Sequence, residues 1–114
     1  MKFYTAMTAA GVLALALSTS VSATGNAALE PAQIAAAKTA ADHEAIAKAY
    51  EDEATELDGK VKMHEQMTDS YKSNGKMVGP ARHCDALVKD FKAAAQESRL
   101  LAKEHRKLAE KAEK

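Results

Sequence analysis

From Asp42 to Met67 the chain reads DHEAIAKAYEDEATELDGKVKMHEQM, with His43, Ile46, Tyr50, Ala54, Leu57, Val61, His64 and Met67 spaced three or four residues apart. One stripe of an α-helix carries all of these positions. The pattern returns 41 residues later, where Tyr50 answers to Phe91, His64 to His105 and His43 to Cys84. Matched alanines, lysines and glutamates surround these three pairs, but such matches arise easily in helical sequence and carry less weight. A chain that writes the same helical face twice, with a short interruption between, is expected to fold back on itself.

Punctuation sets the expected boundaries. Glu30-Pro31 suits a helix start, because proline fits the first helical position, and Gly79-Pro80 repeats the device. Ser73-Asn74-Gly75 suits a stop with a left-handed cap. The reading is a helix over 31–72, a loop over 73–79 and a second helix over 80–113, forming an all-α antiparallel two-helix hairpin. Asp58-Gly59 interrupts the composition of the first helix but not its apolar phase, so that helix is expected to continue through it. The second helix is expected to bury Cys84, Leu87, Val88, Phe91, Ala95, Ser98, Leu101, His105, Leu108 and Ala112.

Composition supports an all-α fold. The chain is 46% hydrophobic and only 4% aromatic, so the core leans on alanine and is thin for a single hairpin. Self-association into a four-helix bundle, as a homodimer, is the expected remedy. Sixteen basic and sixteen acidic residues cancel, which removes a global electrostatic reason to hold nucleic acid or an anionic membrane. Opposite charges recur at helical spacing, as in Glu44 with Lys48 and Asp58 with Lys62, and read as a solvated face.

Residues 1–23 have the form of a secretory signal: Lys2, the apolar stretch from Ala6 to Leu17, then the small-residue site Val21-Ser22-Ala23. The apolar stretch is short for a permanent membrane span. With 24–30 as a flexible lead, the expected product is periplasmic or secreted, with no stable span after cleavage. In build the chain resembles the small exported helical proteins of bacterial envelopes, some of which buffer metals and some of which act as stress chaperones. It lacks both the LTxxQ motif of the periplasmic chaperones and the dense histidine repeats of the small histidine-rich metal binders. No family's residues are therefore carried over.

Chemistry concentrates in few places. A hairpin folded about Asn74 sets His43 opposite His105 and His64 opposite Cys84, because each helix separates its two candidate ligands by three heptads. Neutral imidazole and thiolate suit zinc and copper, and Met67 beside His64 adds a soft thioether. The expected metal residues are thus His43, His64, Cys84, His105 and Met67, with copper or zinc as the ion; ordinary seam packing is the bland alternative for the histidines. Cys84 is the sole cysteine, which excludes an internal disulfide, and the chain has no C-x-x-C-H for covalent haem. A hairpin offers no evident substrate cleft, so no enzyme is expected. The rival to metal binding is a structural or chaperone-like module that holds protein clients on an apolar flank.

Overall fold

The computed structural model describes residues 29–114; the signal at 1–23 and most of the lead lie outside the described residues. Three helices follow: α1 over Pro31–Ala36, α2 over Ala40–Ser73 and α3 over Val78–Ala112. The two long helices pack against each other as an antiparallel hairpin. At 1.5 Å per residue each is about 50 Å long. Among the described residues no helix is long and apolar enough to cross a membrane.

The first helix does not run unbroken from Pro31. Ala37 adopts an extended backbone, and the chain restarts at Thr39, whose hydroxyl accepts from the Asp42 amide while the Asp42 carboxylate accepts from the Thr39 amide. This reciprocal cap satisfies amides that the first turn of a helix leaves unpaired, and it fixes where α2 begins. Gly59, by contrast, leaves α2 continuous. At the far end Asn74 is extended rather than left-handed, and the Met77 amide closes the turn on the Asn74 carbonyl at 2.8 Å. Helix α3 starts at Val78, which puts Pro80 in its first turn, where a missing amide hydrogen costs no helical bond.

Burial along the hairpin follows a strict heptad. On α2 the most covered seam positions are Ala47, Ala54, Val61 and Thr68; on α3 they are Ala81, Ala95, Ala102 and Ala109. We label this set a. Three residues after each comes the larger set d: Tyr50, Leu57, His64 and Tyr71 on α2, and Cys84, Phe91, Ser98 and His105 on α3, with His43 one heptad before Tyr50. Val88, half-buried, completes set a on α3. Alanine at most a positions, with Val61, Thr68 and Val88 at the rest, lets the two backbones approach closely, and the d residues fill the space beside them. Ala47 and Ala102 have no exposed surface at all.

This corrects the apolar stripe expected of the second helix. Leu87, Leu101 and Leu108 are exposed, as is Ala112, and Ala102 and Ala109 occupy the seam that Leu101 and Leu108 were expected to fill. Met67 is exposed in the same way, with Thr68 beside it buried. The seam selects for small size, and the bulkier neighbour is turned outward onto position g.

The two edges of the seam differ. Along edge e, four ion pairs recur at heptad spacing: Glu51 with Arg106 at 2.7 Å, Asp58 with Arg99, Glu65 with Lys92 at 2.8 Å and Lys72 with Asp85 at 3.2 Å. All are solvent-exposed and each is worth roughly 0–1 kcal/mol, so they set alignment more than they supply stability. Edge g carries Ile46 and Met67 from α2, with Glu53 and Lys60 between them, and Leu87, Leu101 and Leu108 from α3. Short α1 folds beside the start of α2, where Leu29, Gln33 and Ala36 line a groove with Ala45, Ile46 and Ala49. Ile46 is buried, whereas the three leucines of α3 are not.

Candidate functional site

The d positions carry the chemistry. His43 lies in the first turn of α2, held in place by the Thr39–Asp42 cap that precedes it. Asp42 accepts from the backbone amides of Lys38 at 3.0 Å and Thr39 at 2.9 Å. Those bonds pull its pKa down from 3.8 to about 2, so the cap is ionised in all but strong acid. His105 arrives from α3 and meets His43 across the seam, with the two Nδ1 atoms 3.1 Å apart and the ring centroids 5.4 Å apart. On its other side His105 stacks on Tyr50 at 5.8 Å.

An Nδ1 to Nδ1 hydrogen bond needs one protonated nitrogen and one bare one, so the pair shares a single proton at this contact. Burial pushes the His105 pKa down, and the charge of His43 pushes it in the same direction. The neutral imidazole is thereby favoured, and that is the form with a lone pair for a metal.

The opposite end of the seam is built from the equivalent residues. His64 packs against Phe91 with centroids 5.5 Å apart, which is the His105–Tyr50 contact seen through the 41-residue offset with the helices exchanged. The Lys60 ammonium lies over the Phe91 ring, 5.6 Å from its centroid. Cys84 is buried and in no disulfide, Met67 stands on the outer edge, and His83 is exposed. Both His64 Nδ1 and Thr68 Oγ1 are buried with no hydrogen-bond partner among the described residues.

The five candidate ligands therefore do not converge on one point. The hairpin brings His43 to His105 at one end, sets His64 and Cys84 near the other, and leaves Met67 outside. Among the described residues no three histidine, cysteine, aspartate or glutamate side chains gather into a metal-holding group. Thr68 is a polar residue that the apolar pattern passes over. The signal for it was present: Ala47, Ala54 and Val61 mark a heptad that reaches Thr68 next.

No family model, curated protein or solved structure matches the chain. Its chemistry must be read from its own residues.

A depressed His105 pKa makes stability depend on pH in a defined direction. The unfolded chain takes up this proton near pH 6.5, whereas the folded protein resists until the pH is lower. Stability is therefore full above that value and falls as the solution is acidified toward the folded pKa. Asp42 works lower down: its contribution holds above 3.8 and disappears as the pH falls toward about 2. Urea melts from pH 6.5 downward, above the range of Asp42, should show a slope that His105→Leu flattens. An unchanged slope in the variant would place the ring in bulk water.

Proposed function

We propose that this is an exported, non-enzymatic helical hairpin that binds a transition metal, zinc or copper, at the His43–His105 pair. The observation that carries the reading is the 3.1 Å separation of the two Nδ1 atoms. Two nitrogens bound to one tetrahedral zinc at about 2.0–2.1 Å lie roughly 3.3 Å apart, so a metal replaces the shared proton with a shift of only a few tenths of an ångström. The low pKa of His105 favours the same exchange. Water or a second hairpin fills the remaining coordination positions.

Zinc should raise the melting temperature of the apo protein. A ligand at one hundred times its Kd stabilises the fold that binds it by about 2.7 kcal/mol. His43→Ala and His105→Ala should each abolish the shift, while His83→Ala leaves it intact. A shift that survives both changes would put the metal elsewhere.

The assembly we propose is a homodimer closed through edge g into a four-helix bundle. Its support is the asymmetry of the hairpin: edge e is closed by ion pairs, while α3 presents Leu101 and Leu108 at 42% and 41% exposure, one heptad apart. A helix in a four-helix bundle needs a third apolar column of this kind beside a and d. A second copy supplies a matching column by two-fold symmetry. Sedimentation at micromolar concentration should give a dimer with or without reductant, and the double change Leu101→Lys and Leu108→Lys should give a folded monomer. If the parent is itself monomeric, the same edge favours the second reading, a docking face for client helices.

A further inference from the structure

The 41-residue repeat makes the hairpin pseudo-symmetric, and exchanging the helices carries His105 onto His64, Tyr50 onto Phe91, Ala109 onto Thr68 and His43 onto Cys84. The ring contacts obey this exchange at both ends, 5.8 Å for His105 on Tyr50 and 5.5 Å for His64 on Phe91. At the loop-distal end the place across from His105 Nδ1 is taken by His43. By the same operation the position that corresponds to His43, across from His64, belongs to Cys84, whose thiol is free and buried.

Two further observations at this end point to a ligand. The Nδ1 of His64 is buried without a hydrogen-bond partner, although its counterpart on His105 has one. Thr68, only 4% exposed, has an orphaned hydroxyl as well. Thr55, Ser70 and Ser73 each donate to the carbonyl four residues back, which is the ordinary outlet for a hydroxyl on a helix. Thr68 makes no such bond. Unpaired polar atoms in a close-packed seam are costly, and groups of them mark sites for an ion or water.

We propose that this end of the seam is a second, separate metal site that takes one copper(I) ion between His64 Nδ1 and the Cys84 thiolate, with the Thr68 hydroxyl alongside. Imidazole and thiolate are donors that a soft monovalent ion prefers. Zinc seeks four ligands: at the half-buried His43–His105 pair water can complete the set, whereas Cys84 and Thr68 are buried and leave little room for it. Charge decides in the same direction. Binding displaces the thiol proton to solvent, and one Cu⁺ with one thiolate leaves a neutral site, which a buried seam tolerates far better than a net charge. No change of oxidation state is involved.

The test uses the reduced chain with His43→Ala and His105→Ala, which removes the zinc pair, so its outcome is independent of the zinc reading. Copper(I) delivered from a bicinchoninate buffer should bind at one equivalent per chain and produce thiolate-to-copper charge-transfer absorption. Alkylation of Cys84 by iodoacetamide should slow at least tenfold, and zinc should not reproduce that protection. Adding Cys84→Ala should remove both signals, and adding His64→Ala should weaken binding at least tenfold. Should either added variant fail to show helical circular dichroism, the alkylation result in the double variant decides alone. Unchanged alkylation, or equal copper uptake after Cys84→Ala, overturns the proposal.

Discussion

Replacing Ala102 with leucine should destabilise the hairpin by about 1–3 kcal/mol or more, the cost of overpacking a filled core. Ala102 has no exposed surface, and the a positions it faces across the seam are also small. A larger side chain there must push α2 and α3 apart along several heptads. Its neighbour should behave in the opposite way: Leu101→Ala should cost well below the roughly 2–5 kcal/mol of truncating a buried leucine, when measured on the monomer. Paired urea titrations of the two variants check this. A larger loss from Leu101→Ala than from Ala102→Leu would mean that the seam runs through the leucines after all.

Thr68→Val should stabilise the metal-free protein by about 1–3 kcal/mol, against the usual direction of core substitutions. The two side chains have nearly the same shape, and the threonine hydroxyl is buried with no partner. Valine removes a polar atom that gave up its hydration and gained nothing in return. Thermal melts of the apo forms would measure the difference. Equal or lower stability in the valine variant would show that the hydroxyl is satisfied in solution.

The value of these two substitutions lies in where sequence and structure part company. Leu101 and Leu108 satisfy the apolar period as well as Ala102 and Ala109 do, since g and a are adjacent columns on the same helix. Hydropathy ranks leucine above alanine and so favours the wrong column. Closeness of approach between two backbones ranks them the other way, and it is a property of the pair of helices rather than of either one. Thr68 was missed for the same reason, because a hydroxyl scores as polar even when its shape suits a narrow seam. The break before Ala40 was legible in principle, through Thr39 and Asp42 at capping-box spacing. It was hidden by the good helix formers on both sides.

Register shows the division most plainly. Folding about Asn74 correctly brings His43 to His105, yet in the structure His105 stands between His43 and Tyr50, and His64 rests on Phe91. The register therefore centres near Lys76 rather than Asn74, with His105 flanked by His43 and Tyr50. Four ion pairs along one edge then hold it.

By itself the sequence determined the helical class, the two-fold repetition and the equal spacing of its chemistry-bearing residues on the two helices, because all three follow from periodicity along one chain. Tertiary structure alone decided which column is buried, which edge keeps exposed leucines, and that Met67 stands outside the seam. Those outcomes depend on how far apart two helix axes settle and how they are aligned. That distance and alignment are set by side-chain volumes meeting across the seam, which no single helix contains.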